Sequence, residues 1–90
     1  MNQVLFSIKV QKQLKKLPQH IVRKFLKWAE QVEIIGIMGT RRASGYHDEP
    51  LFGERAGQRS IRLSKAYRAF YIEHDDNIVI EAIEVNKHEY

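Results

Sequence analysis

A change of hydrophobic period near the middle of the chain constrains its fold more than any other feature. In the first half, apolar residues recur every three or four positions, whereas from Leu51 onward they alternate with polar ones. The first pattern suits helices with one buried stripe and the second suits strands with one buried face, so helices layered on a sheet are expected. Val4 and Phe6 alternate with polar or outward positions and predict a short first strand, after which Ser7 can cap a helix. Val10, Leu14 and Leu17 line one side of that helix, Lys9, Lys12, Lys15 and Lys16 fill the others, and Pro18 both ends it and opens the next. Ile21, Phe25, Trp28, Ala29 and Val32 form the stripe of the second helix, with Trp28 in the core and His20 at the surface. Gly36 and Gly39 are expected to close it, and the stretch to Pro50 to be a connecting loop.

In the second half, Ile61 and Leu63 alternate with Ser60, Arg62 and Ser64, while Arg68, Phe70 and Ile72 alternate with Tyr67, Ala69 and Tyr71. Residues 77–85 are rich in Ile and Val. Three antiparallel strands result, turned at Ser64-Lys65 and at Asp75-Asp76-Asn77. The expected class is α+β in the order β-α-α-β-β-β(-β), with a two-helix hairpin on one face of an antiparallel sheet and the other face free. Tyr67 and Tyr71 are expected beneath the helices, although they and Tyr46 have rings able to stack on bases. A length of 90 residues predicts one domain, spanning residues 1–90.

Composition narrows the chemistry. Without cysteine there is no disulfide framework, thiolate nucleophile or Cys-based zinc site. The apolar runs are far too short to span a membrane, and the N-terminus lacks the basic and apolar regions of a secretory signal, so the cytoplasm is the expected compartment. Charge is unevenly spread: residues 1–44 carry nine Lys/Arg against two Glu, and residues 45–90 carry six against nine acidic residues, for a net +4. A basic first half suits a nucleic acid or an acidic protein partner.

The stretch from Gly45 to Arg68 brings His47 and Glu49, in an acidic turn ended by Pro50, within reach of Arg55, Arg59, Arg62 and Arg68. A carboxylate that can accept a proton beside cations that can hold a phosphate suffices to cleave RNA without a metal. A tight hairpin at Ser64-Lys65 places Arg62 and Arg68 nearly opposite one another, a costly arrangement unless an anion lies between them or each pairs with a carboxylate such as Glu49 or Glu81. His47, Asp48 and Glu49, like His74, Asp75 and Asp76, are metal-ligand types, but they are bunched rather than converging from spaced positions, so neither metal nor cofactor is expected.

The lysine-rich helical hairpin, GYHDEPLFG, QRSIRL, YRAFYIEHDD and the terminal EVNKHEY, in this order, resemble the RelE/ParE superfamily of bacterial type II toxins, most of all its HigB and YoeB-like branches, over essentially the whole chain. The resemblance implies a small RelE-like fold and a toxin that cleaves mRNA in the ribosomal A site without a metal and is neutralised by a cognate antitoxin protein. It also implies roles. Glu49 is the general base, Arg68 stabilises the transition-state phosphate, Arg62 supports it, and His88 and Tyr90 serve as general acid and as a positioning or stacking group. Arg55, Arg59 and Lys87 are further candidates for RNA contacts, and His47 is a reserve acid or base. Two features depart from the pattern. Phe52 stands where relatives commonly have a basic residue, and His88 reaches the arginines only if residues 86–90 curl back from the last strand. A ParE-like poison of DNA gyrase, which needs the fold but not the acid-base set, and an attenuated antitoxin-binding module are the alternative functions.

Overall fold

Each half of the chain folds by its own period. The computed structural model describes residues 2–43 and 45–85. Its elements are β1 (Gln3–Phe6), α1 (Ile8–Lys16), α2 (Gln19–Arg42), β2 (Glu49–Pro50), a 3-10 turn (Gly53–Arg55), β3 (Arg59–Arg62), β4 (Tyr67–His74) and β5 (Asn77–Val85). The class is α+β, with two helices on a five-stranded sheet of order β1-β5-β4-β3-β2. Ser7 caps α1 as expected, its hydroxyl accepting from the Val10 N–H at 3.1 Å.

The sheet is mixed rather than wholly antiparallel. β2 to β5 are antiparallel, but β1 lies parallel to β5, with Val4 opposite Ile78 and Phe6 opposite Ile80. Both helices separate β1 from the rest of the sheet, and a strand reached by such a crossover can join in parallel. Its short outer edge is capped from α2, where Glu33 Oε2 accepts from the Val4 N–H at 2.9 Å. Beyond the end of β1, Gln13 of α1 does the same for β5, accepting from the Ile83 N–H at 2.9 Å.

A second difference concerns Gly36 and Gly39, which do not end α2. Gly36 takes φ +85° and ψ 161°, a kink rather than a stop, and the helix continues to Arg42 through Gly39. The continuation has its own cap, because Asn2 Oδ1 accepts from the Ile37 N–H at 2.6 Å while Asn2 Nδ2 donates to the Asp76 carbonyl at 3.1 Å. A distant residue thus supplies the acceptor that restarts the helix, and local sequence carries no sign of it. The remaining loop also gains the two-residue strand β2.

The core lies between the helices and the sheet. Val10, Ile21, Phe25, Trp28, Val32, Ile61, Tyr71, Ile78 and Ile80 are fully buried, with Leu14, Leu17 and Tyr67 packed around them. Trp28 meets Phe25 at 6.1 Å and Tyr71 at 5.4 Å between ring centroids, tying α2 to β4. In β5 a bulge resets the alternation: Phe70 faces Ala82 but Tyr71 faces Ile80, leaving Glu81 as the extra residue. Ile78 and Ile80 before it and Ile83 after it consequently share the core face.

Gly36→Ala tests the kink. The backbone there is one that only glycine adopts freely, and an added Cβ would meet Asn2 Oδ1 at 3.4 Å. The expected loss is about 1–3 kcal/mol, read as a lower midpoint in urea unfolding with an unchanged slope.

Candidate functional site

The face of the sheet away from the helices carries the charged cluster. Arg62 and Arg68, expected nearly opposite one another, are direct cross-strand partners on β3 and β4, joined by the four residues 63–66 rather than by a tight Ser64-Lys65 turn, and Arg68 is in turn opposite Glu84 on β5. Leu63, donating to the Tyr67 carbonyl at 2.9 Å, closes the hairpin. Ser60, on the same face by strand alternation, accepts from Arg68 Nη1 at 3.2 Å. Glu49, paired with Ser60 across β2 and β3, places Oε1 3.1 Å from the same nitrogen. The Arg68 guanidinium is therefore held from two sides, with its side chain 21 % exposed against 56 % for Glu49. Arg62 Nε is buried and has no hydrogen-bond partner among the described residues.

Arg55 arrives on this face from the 3-10 turn. It lies 4.1 Å above the Phe70 ring and donates through Nη2 to both Glu84 carboxylate oxygens, at 3.0 and 2.8 Å. Arg55, Arg62, Arg68, Glu49 and Glu84 thus form one charged patch over Ser60, Phe70 and Ala82. The last three are nearly excluded from solvent, although Phe70 and Ala82 stand outside the main core cluster.

Arg59 does not join them. Alternation along β3 turns it to the helix side, opposite Tyr71, where its Nε donates to Asp48 Oδ1 at 2.6 Å. Asp48 is buried, its side chain only 1 % exposed, and its other oxygen accepts from the Tyr71 hydroxyl. Arg41, from the last turn of α2, puts Nε 3.5 Å from Asp48 Oδ1 and donates through Nη2 to the Tyr71 hydroxyl at 2.9 Å and to Glu73. Burial opposes the charge on Arg41, but its hydrogen bonds with Tyr71 and Glu73 outweigh that and raise its pKa. For Tyr71, burial first and the bond to Asp48 second push the hydroxyl above the ordinary tyrosine range, and burial alone raises Tyr46.

The sequence missed this second cluster. Asp48 carried a signal, since in an extended segment a Glu49 that points outward implies an inward Asp48. Arg41 and Glu84 carried none, because their partners are set by the crossing of α2 and the register of β5. His47 is exposed with φ 48°. Lys87, His88 and Tyr90, including the curled-back tail, lie outside the described residues. Among the described residues no group of three or more His, Asp or Glu is arranged to hold a metal ion, and no helix is long and apolar enough to cross a membrane. On α2, Arg23, Lys24 and Lys27 line a groove of ≈ 490 Å³ with Tyr46, whose ring lies 5.5 Å from Lys24 Nζ.

This architecture is the RelE-like fold. The chain superposes on the toxin–antitoxin complex RelBE2 from Mycobacterium tuberculosis with a TM-score of 0.69 and 24% identity, covering 93% of this chain and 96% of that one. For the archaeal RelE–RelB complex from Pyrococcus horikoshii the TM-score is 0.74 at 22% identity, covering 97% of each chain. The YoeB–YefM complex from Staphylococcus aureus gives 0.73 at 18% identity, covering 96% of this chain and 98% of that one. The likeness at these identities is one of fold. No family model matches the sequence, and no curated protein does.

The raised Tyr71 pKa gives stability a definite pH dependence. Above about pH 10 an unfolded tyrosine loses its proton while native Tyr71 keeps it, so the native state binds more protons and stability falls with rising pH. Tyr71 contributes fully below that pH, and its contribution disappears as pH rises through the raised native value. Ultraviolet titration of tyrosinate with parallel urea unfolding should show the last-titrating tyrosine and part of the alkaline slope vanish in Tyr71→Phe.

Proposed function

We propose that this chain is the toxin of a type II toxin–antitoxin pair, a single domain over residues 1–90 that works in the cytoplasm and cleaves mRNA on the ribosome without a metal. A cognate antitoxin protein would hold it inactive, as the RelB and YefM partners in the similar complexes suggest. The observation that carries the reading is the cross-strand Arg62–Arg68 pair with Glu49 hydrogen-bonded to Arg68 on the exposed face. Two guanidiniums side by side repel unless an anion lies between them, and an RNA phosphate fits that description.

In the proposed reaction, a phosphate enters beside Arg68 and displaces the Glu49 carboxylate, which turns to the neighbouring ribose 2′-OH. Glu49 takes the hydroxyl proton as O2′ attacks phosphorus. Arg68 and Arg62 stabilise the charge that builds on the phosphorane oxygens. The P–O5′ bond then breaks to leave a 2′,3′-cyclic phosphate, and O5′ takes a proton from an acid, a role assigned to His88, with Tyr90 positioning or stacking on a base. His47 is the reserve for proton transfer. Arg55, over Phe70, and Lys87 contact the RNA backbone. Arg59 is withdrawn from that set because Asp48 already engages it on the opposite face. The Arg23, Lys24 and Lys27 groove adds long-range attraction for a polyanion.

Arg68→Ala should lower the rate of mRNA cleavage on programmed ribosomes by about 10²- to 10³-fold, whereas Lys12→Ala should change it by no more than a small factor. Primer extension across the A-site codon reads both, and parent protein treated with EDTA and freed of it before it meets the ribosomes should cleave at the untreated rate. Cleavage and growth inhibition that survive Arg68→Ala would overturn the phosphate-clamp reading. Cut supercoiled DNA with intact mRNA would point instead to the gyrase poison.

A further inference from the structure

We infer that Asp48 is a positioning residue for Glu49: its buried carboxylate, on the helix side of the sheet, fixes the edge strand from which Glu49 reaches Arg68. The inference rests on the reading of Glu49 as the proton acceptor. The strand in question has little to hold it by itself. β2 is two residues long and lies at the sheet edge, Pro50 has no N–H to donate, and His47 precedes it in the left-handed region. A segment of this kind frays unless something outside its own ladder fixes it.

Asp48 supplies that fixture. One of its oxygens accepts from Arg59 Nε at 2.6 Å and the other from the Tyr71 hydroxyl. Arg59 is the ladder partner of Pro50, and Tyr71 is the ladder partner of Arg59, so a single carboxylate binds β2, β3 and β4 in one row. Arg41 joins from α2, 3.5 Å from the same Asp48 oxygen that Arg59 engages. Extended backbone makes successive side chains point oppositely, so anchoring Asp48 inward commits Glu49 to the outer face. Two main-chain bonds flank the anchor: Arg62 N–H to the Tyr46 carbonyl at 2.7 Å, and Leu51 N–H to the Gln58 carbonyl at 2.9 Å. They report the docking of this segment without involving the side chain at 48. β3 and β4 are also held by the full ladder between them, whereas β2 has two residues of pairing, so loss of the carboxylate acts first on the edge.

Asp48→Asn keeps the shape of the side chain but removes its charge and one acceptor oxygen. Amide hydrogen exchange at Leu51 and Arg62 should quicken by about 10- to 100-fold, while the middle of β4 and β5 keeps its protection. Single-turnover cleavage of mRNA on programmed ribosomes should slow by about 10- to 100-fold. The toxin concentration for half-maximal rate should change by less than about threefold, because Arg62 and Arg68 remain on β3 and β4. Tyr71→Phe, which removes one donor and retains the ring against Trp28, should move exchange and rate in the same direction by less, and it decides the matter if Asp48→Asn does not fold. Unchanged exchange at both amides overturns the anchor, whatever happens to cleavage. Faster exchange with an unchanged rate overturns the positioning role alone. A Glu49→Gln protein that cleaves at full rate, or a parent protein that cleaves no RNA, overturns the reading of Glu49 and the positioning role with it, and exchange still shows whether Asp48 anchors the strand.

Discussion

Burial of one face of a strongly alternating sheet is the constraint on which the rest of this structure depends. Ile61, Ala69, Tyr71, Ile80 and Ile83 must all point toward the helices, and that requirement alone sends Ser60, Arg62, Arg68, Phe70 and Glu84 to the other side. A slip of β3 by one residue along β4 would set Ile61 opposite Arg68 and turn Arg62 inward opposite Tyr67, putting charge into the core. The register of the cluster is therefore fixed by hydrophobic packing, and the arginines need contribute nothing to it. The bulge at Glu81 serves the same end, since without it either Ile80 or Ile83 would turn outward.

The two faces hold their charges differently. On the helix side Asp48 is closed off from solvent and engaged by Arg59, Tyr71 and Arg41, so breaking its pair with Arg59 would cost far more than breaking an exposed one. On the outer side Glu49 and Glu84 are about half exposed, and ion pairs of that kind contribute little, because water and salt compete for both partners. Arg68 and Arg55 are thus held in place by contacts that another anion can replace at small cost, whereas Arg59 and Arg41 are not. Alternation along β3 makes the division, setting Arg59 and Arg62 in the same short strand to different work.

Much of this was legible in the sequence, for identifiable reasons. The apolar stripe from Ile21 to Val32 and the alternation through residues 60–72 carry their own period, and the Ser7 cap and the two hairpin turns use local chemistry. What escaped depends on contacts between distant segments. Asn2 restarts α2 beyond Gly36, β1 enters in parallel after a crossover, and Arg41 meets Tyr71 and Asp48 only because α2 ends above β4. Arg59 departs for a simpler reason: it is close to the other arginines in sequence, but the alternation through Ile61 and Arg62 sets it on the face opposite Arg62.

The departure at Phe52 looks different once the fold is considered. Phe52 is 83 % exposed at the start of the 3-10 turn, and that turn carries Arg55 back over the sheet to stack on Phe70. A guanidinium spread across an aromatic ring presents its edge to an incoming anion while its face stays packed, and this is a more rigid presentation than a side chain extended into solvent. Glu84 fixes the orientation by accepting from one of its terminal nitrogens with both carboxylate oxygens. On the proposed reading, the positive charge missing at Phe52 is supplied three residues later, from a position next to Arg68's own strand and already oriented. The exposed ring at 52 is then left free to lie against a base, which has an aromatic face whatever its sequence.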